Sequence, residues 1–210
     1  MPDVIKLLAS DVVPSSSFTN IYTVPTSTST ILKSFILCNV STAEISVFVR
    51  LNGTSILNGF KIKAGDTIVV PVVDQVMSAG ESISIAATIA LVNFYICGVE
   101  YTTNDQNSDY YYSKMLGRGS IPSGSTVSTI VNAVSNSKRL LKGLIVCNGN
   151  ASANKLDLWI AGRSLISQYP IKPGDTILIP TMDAILEPNA KVEAASSLGL
   201  SFYLSGKEVT

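Results

Sequence analysis

Three carboxylate pairs recur at matching places in the two halves of this 210-residue chain: Asp66 with Asp175, Asp74 with Asp183, and Glu100 with Glu208. Paired carboxylates can hydrolyse glycosidic bonds or hold calcium. The sequence offers no Asp-rich loop of the D-x-D-x-D kind, and Asp66 and Asp74 fall at opposite ends of one expected strand, about 25 Å apart if extended. They read as turn caps and surface charges. Lys33 and Lys142 interrupt apolar strands once per half, where a lysine projects from the solvent face or snorkels at an edge. Cys38 and Cys147 are expected to be buried thiols, because no base is at hand to activate them. Asn39 and Asn148 follow at strand ends, where an Asn side chain satisfies loop backbone.

Composition narrows the chemistry further. The chain has no histidine, so the commonest general base and metal ligand is missing and a Ser-His-Asp or Cys-His site cannot be built. Fifteen basic and fifteen acidic residues cancel, and charged residues are only 14% of the chain. No basic footprint for nucleic acid follows. The three cysteines, Cys38, Cys97 and Cys147, are an odd number without CxxC spacing, which argues against a disulfide framework or a zinc site. Free thiols suit synthesis in a reducing cytoplasm. No signal peptide or membrane-spanning run is expected. Neither catalytic residues nor a cofactor or metal are assigned.

The elements that must position these residues come in duplicate. At an offset of 109 (Lys33 onto Lys142), ILKSFILCN at 31–39 meets LLKGLIVCN at 140–148, and IKAGDTIVVP at 62–71 meets IKPGDTILIP at 171–180. After a one-residue shift, IKLLASDVVPSSS at 5–17 resembles SKMLGRGSIPSGS at 113–125, and FYICGVEY at 94–101 resembles FYLSGKEV at 202–209. The expected organisation is one domain at 1–101, a polar Tyr-rich linker at 102–112 and a duplicate domain at 113–210.

Each copy reads as strands. Val47, Val49 and Leu51 alternate with Phe48 and Arg50, and Leu156, Leu158 and Ile160 alternate with Asp157 and Trp159, the period of a half-buried strand. Turn signals arrive every eight to twelve residues and no stretch shows a helical period. The fold class is all-β: two tandem homologous antiparallel β-sandwiches, jelly-roll or Ig-like, of about seven to eight strands each. In the repeated phrase, Gly65 and Gly174 supply the positive φ of a tight turn, Asp66 and Asp175 can accept its backbone N–H groups, and Thr67 and Thr176 start the next strand. Turn chemistry alone accounts for the phrase. Tyr110, Tyr111 and Tyr112 are the candidate interface. They could dock on a partner or stack on a sugar ring, or pack between the two domains.

The pattern K-x-x-I-x-C-N at 33–39, N-G-x-x-I at 52–56, I-x-A-G-D-T-I-x-x-P at 62–71, A-G-E-S-I-x-x-x-A at 79–87 and C-G-x-E at 97–100 resembles the small β-sandwich modules of tailed-bacteriophage virion proteins. Such modules occur in tail, baseplate, fibre and capsid-decoration components. The second copy departs at EPNAKVEAA, 187–195, where Asn189 stands for Gly80; Asn also tolerates the left-handed conformation. The resemblance implies a non-enzymatic structural role in a virion, with copies of itself and other virion proteins as partners and no nucleic acid or membrane. The alternative is a carbohydrate- or host-receptor-binding module of a fibre. At the sixfold-symmetric sites that the resemblance implies, two copies per chain suggest a three-chain, pseudo-sixfold ring.

Overall fold

A computed structural model describes residues 3–209 except 15, 73, 103, 104, 107, 109 and 180–183, and the backbone alone of 209. Asp183 therefore lies outside the described residues. The chain divides into two compact units, Met1–Tyr111 and Tyr112–Thr210. Residues 102–111, expected as linker, fall within the first unit and Tyr112 within the second.

The first unit contains β1 (Val4–Val12), β2 (Thr19–Thr23), β3 (Thr28–Asn39), β4 (Ile45–Leu51), β5 (Thr54–Ile62), β6 (Thr67–Val69), β7 (Gln75–Met77), β8 (Ser82–Ala87) and β9 (Val92–Thr102). The second contains β10 (Ser113–Ser123), β11 (Ser128–Val131), β12 (Lys138–Cys147), β13 (Asn154–Ile160), β14 (Arg163–Ile171), β15 (Thr176–Ile179), β16 (Ala184–Leu186), β17 (Val192–Ser196) and β18 (Leu198–Val209). One sheet of the first unit runs β1-β9-β3-β6 with β7 also on β3, and the other runs β2-β8-β4-β5. The second unit repeats this as β10-β18-β12-β15 with β16 on β12, and β11-β17-β13-β14. All the pairs are antiparallel. The pairs nest: β4 with β5, β3 with β6 and β7, β2 with β8, β1 with β9. That is one long hairpin wound into two sheets, a jelly roll rather than an Ig-like layout.

The strand count exceeds the expected seven or eight because one strand in each unit is broken. β6 pairs with β3 at residues 36–38 and β7 pairs with it at 30–32. Between these stretches β3 carries a bulge at Lys33, the residue skipped in its register with β9. β12 has the same bulge at Lys142 and the same division between β15 and β16. A bulge leaves one residue unpaired and bends its strand, so the edge strand beside it cannot run straight past. Counted as one interrupted edge, β6 and β7 make each unit an eight-stranded roll.

Burial follows the alternation in sequence. β4 reads buried at Ile45, Val47, Val49 and Leu51 and half-buried at Ser46, Phe48 and Arg50. Leu156, Leu158 and Ile160 are buried in β13, but so is Asp157, which alternation puts on the opposite face. The three apolar residues join Ile121, Val131, Leu144, Val146, Leu200, Phe202 and Leu204 in one core between the sheets of the second unit. Each such side chain stabilises its unit by about 1.5–3 kcal/mol over an exposed one.

Gly98 and Gly206 allow close approach. A Cβ on Gly98 would lie 2.5 Å from the Ile31 carbonyl oxygen and 2.8 Å from Leu8 Cδ1; on Gly206 it would collide with the Leu140 carbonyl and Leu116 Cδ1. Leu8 and Leu116 are the residues skipped in the registers of β1 and β10, so each glycine makes room for a bulged leucine. The hairpin turns are conserved in geometry more than in residue type. Asn52 and Gly53 have φ of 44° and 80°, and Ala161 and Gly162 have 49° and 75°, the positive pair of a two-residue hairpin turn. Asn189 has φ 65° where Gly80 has 79°, so the substituted turn keeps its conformation.

Gly65 and Gly174 have φ of 72° and 71°. Replacing either by Val should destabilise the chain by about 1–3 kcal/mol, visible as a lower thermal midpoint of the full-length protein. Ala161 bears the left-handed conformation without the local compensation that Asn provides. Ala161→Asn should raise stability by about 0.5–1 kcal/mol; an unchanged or lower midpoint would contradict the strain assigned to this turn.

Candidate functional site

The repeated phrase is anchored by a buried asparagine in each unit. Asn39, at the end of β3, is fully buried. Its amide nitrogen donates to the carbonyls of Ala43 (2.7 Å), Ile62 (2.9 Å) and Lys63 (3.0 Å), three acceptors sharing two hydrogens. Its Oδ1 accepts from the Ser41 N–H (2.9 Å) and hydroxyl (2.7 Å). Asn148 repeats this with Ser152, Ile171 and Lys172 as acceptors and Asn150 as donor through its N–H and side-chain amide. The backbone joins in. Asn39 N–H donates to the Asp66 carbonyl (2.9 Å) and Gly65 N–H to the Asn39 carbonyl (3.0 Å), with Asn148, Asp175 and Gly174 doing the same. The bond that ties each turn aspartate is thus made by its main-chain carbonyl, not by the carboxylate expected to accept turn N–H groups. The phrase is a sheet-to-sheet fastening, because β3 and β5 belong to opposite sheets.

The repeated carboxylates take separate partners within their own units. Glu100 accepts from Lys6 (2.8 Å) and from the Tyr22 hydroxyl (2.8 Å), which also shares a 2.7 Å bond with Thr30. Burial, with the Glu100 charge beside it, holds the Tyr22 phenol protonated well above its ordinary range. Glu208 accepts from Lys114 and Arg139, both at 2.6 Å. The Lys114 bond, helped by Arg139 and opposed by burial, holds its carboxyl below the usual value of 4.5. Asp74 meets Lys33 at 2.5 Å. Burial pulls the Lys33 pKa down, but the bond and charge of Asp74 outweigh it and leave it raised. Asp66 and Asp74 do not end one strand: β6 stops at Val69, and Asp74 sits at φ 61° where the Leu32 carbonyl accepts its N–H (2.8 Å). Glu100, Asp74 and Glu208 each therefore serve a local pairing. No group of three or more His, Cys, Asp or Glu suited to a metal occurs among the described residues.

Lys33 is the bulged residue of β3 and spans the break in the neighbouring edge, with its ammonium 5.0 Å from the centre of the Tyr110 ring. Tyr110 packs on Ile31, Val76 and Tyr101, its ring 6.0 Å from that of Tyr101. It is thereby occupied within the first unit. Tyr111 is half-buried, and Tyr112 is 44% exposed while its carbonyl accepts from the Glu208 N–H (2.9 Å). Cys147 is buried, but Cys38 and Cys97 are half-buried free thiols. Cys38 shares the parity of Ser34 and Ile36, opposite to buried Phe35 and Leu37, so it turns to the outer face of its sheet.

The outward residues of the sheets differ between copies. On β4, Arg50 lays its guanidinium 3.7 Å from the centre of the Phe18 ring, and Phe18 meets Phe48 edge-on at 6.3 Å. The matching positions on the second unit are Trp159 and Asp157. Asp157 accepts from the N–H (2.8 Å) and side-chain amide (2.7 Å) of Gln168, which holds φ 52° where the first copy has Gly59 at 72°. In the first copy a Cβ at Gly59 would instead touch the Phe48 ring at 3.6 Å. The Phe18–Arg50 stack escapes sequence reading, since Phe18 precedes β2 and reaches β4 only through folding.

A shallow cavity of about 410 Å³ opens beside β1 and β2, lined by residues including Leu8, Asp11, Val12, Thr19 and Phe94. Its carboxylate, Asp11, is taken up by the Val12 N–H (2.7 Å), which leaves no acid–base pair there. No helix among the described residues is long and apolar enough to cross a membrane.

No family model matches the chain, and no curated protein matches it. Among solved structures, the chain is similar to the major capsid protein of Bacteriophage PM2 (12% identity, 99% of this chain and 98% of that one, TM-score 0.41). It is also similar to the STIV MCP, of Sulfolobus Turreted Icosahedral Virus (10%, 98% and 96%, TM-score 0.34), and to the VP2 subviral particle protein of infectious bursal disease virus (13%, 97% and 72%, TM-score 0.29). Identities and TM-scores this low transfer no role to the chain.

Two outcomes are expected of the fastening and its neighbours. Asn39→Ala or Asn148→Ala should cost about 2–4 kcal/mol, because buried carbonyls lose their donor; chemical denaturation of the full chain measures it. Glu208 has its folded-state pKa below the unfolded one. Its contribution is complete above the ordinary carboxylate value and is lost as pH falls through the folded value. Acid unfolding of Glu208→Gln should therefore show a shallower loss of stability below pH 4.5 than the parent.

Proposed function

We propose that the chain is a non-enzymatic structural component of a tailed-bacteriophage virion. It would assemble through its sandwich surfaces on the tail or baseplate, or on the capsid as a decoration or cement protein. The observation that carries this reading is how each copy divides its residues. Fastening asparagines, turn glycines, bulges and inward residues repeat in both units, whereas outward residues such as Arg50 and Trp159 differ. One fold kept twice with two different outer surfaces suits a chain that meets different neighbours with each copy. Glu100, Asp74 and Glu208 are committed to local ion pairs, which favours assembly over catalysis. The resemblance of the 33–39, 52–56, 62–71, 79–87 and 97–100 motifs to phage virion modules supplies the setting.

In this reading, three chains form a ring in which the two copies alternate with pseudo-sixfold character. Tyr110–Tyr112 lie at or near an interface, and Tyr112 is 44% exposed. A second reading, a glycan- or host-receptor-binding module of a fibre, is favoured by exposed aromatics such as Phe18 and Tyr112. Mass spectrometry of intact virions should find the chain at a fixed stoichiometric copy number. A reconstruction should show three-chain rings with both copies touching neighbours; isolated monomers, fivefold rings or contacts through one copy alone would refute the ring. Binding to a glycan array without stoichiometric incorporation would favour the fibre module.

A further inference from the structure

Arg50 is unlike the other cations of the chain. It is half-buried in mid-strand on β4, paired in register with Ser55 on β5 and Ser84 on β8. Its guanidinium carbon lies over the Phe18 ring, 3.7 Å from the ring centre, and Phe18 is braced edge-on by Phe48. The Nε is sealed from water and makes no hydrogen bond, and among the described residues no carboxylate pairs with Arg50. Ser84 does not compete for it, since its hydroxyl donates to Asn20 Oδ1 at 2.8 Å. A guanidinium held over a ring has lost much of its rotamer freedom, and the N–H groups beyond the sealed Nε keep the fork geometry that grips a carboxylate through two bonds. This is how arginine anchors behave at protein interfaces.

We propose that Arg50 is the cationic half of a contact between chains, binding a carboxylate of a second copy of this protein; this rests on the self-assembling role proposed above. A second copy fits better than a free acid because the site is an outward sheet face rather than a concavity, and small ligands need walls. Charge complementarity points to the acids. Asp66 and Asp175 end the repeated turns with carboxylates that make no bond among the described residues, their attachment to the fold running through main-chain carbonyls. The chain is neutral overall, so a stranded cation and stranded acids on the same molecule can satisfy one another across an interface. The matching position of the second unit, Trp159, cannot do this, which makes the contact heterologous and suits copies that alternate.

Sedimentation velocity of the full-length chain over a concentration series tests the contact. Arg50→Met should weaken self-association at least tenfold with an unchanged thermal midpoint, and Arg50→Lys should not restore it, because lysine lacks the fork. Arg50→Glu should abolish association, and adding Asp66→Lys or Asp175→Lys should bring it back. Variants that associate like the parent would overturn the proposal and leave the self-assembling role standing. A parent that stays monomeric at every concentration would remove both. Lost association with a lowered midpoint and no charge-swap rescue would make Arg50 an internal packing residue and overturn the contact. So would normal association accompanied by loss of acetate binding, followed by NMR titration, since the carboxylate would then be a free acid.

Discussion

Each jelly roll depends on one buried amide. Asn39 stands where β3 ends in one sheet, and its side chain holds the carbonyls that close β5 in the other. Two sheets that share no hydrogen-bond ladder are thereby joined by directed bonds as well as by hydrophobic contact, which has no preferred register. The turn phrase is shaped by the same residue through main-chain bonds to Gly65 and Asp66. A buried polar group is tolerated only when its bonds are complete, and here the completeness fixes where the next strand starts. Asn148 does the same in the second unit, so the two most similar stretches of the chain are similar because one constraint is met twice.

Around that fixed frame, the copies compensate locally where they differ. The bulged position of β5 is a glycine packed below Phe48, whereas on β14 it is Gln168, whose strained backbone is held by two bonds to Asp157. The acid that replaces the aromatic and the glutamine that replaces the glycine belong together. The same holds for Glu100 and Glu208. One keeps a tyrosine and a threonine beside it, the other an arginine, and both keep the lysine of the first strand. Differences are absorbed within a few ångströms and the topology does not register them.

Much of this was legible in the residues. Alternation in β4 and β13 gave the inward face, the glycines of the repeated phrase gave the turn, and the two asparagines at strand ends indicated satisfied loop backbone. What escaped was everything that depends on cross-strand register. A hydrophobic pattern of period two does not reveal that Lys33 or Leu8 is an extra residue, yet those bulges break the edge strand and dictate Gly98. Cys38 looked buried because its neighbours are apolar, but its parity places it outward. Tyr110 looked available because its stretch is polar, but Ile31, Val76 and Tyr101 occupy it.

The nested pairing has an architectural consequence. The first and last strands of each unit are neighbours, with Val4 beside Glu100 and Ser113 beside Lys207. The chain enters and leaves each roll at the same edge. A second roll can then be appended without threading the chain through the first, because entry and exit of one roll lie a single strand spacing, about 5 Å, apart. Tandem doubling is the rearrangement to which such a layout offers least resistance.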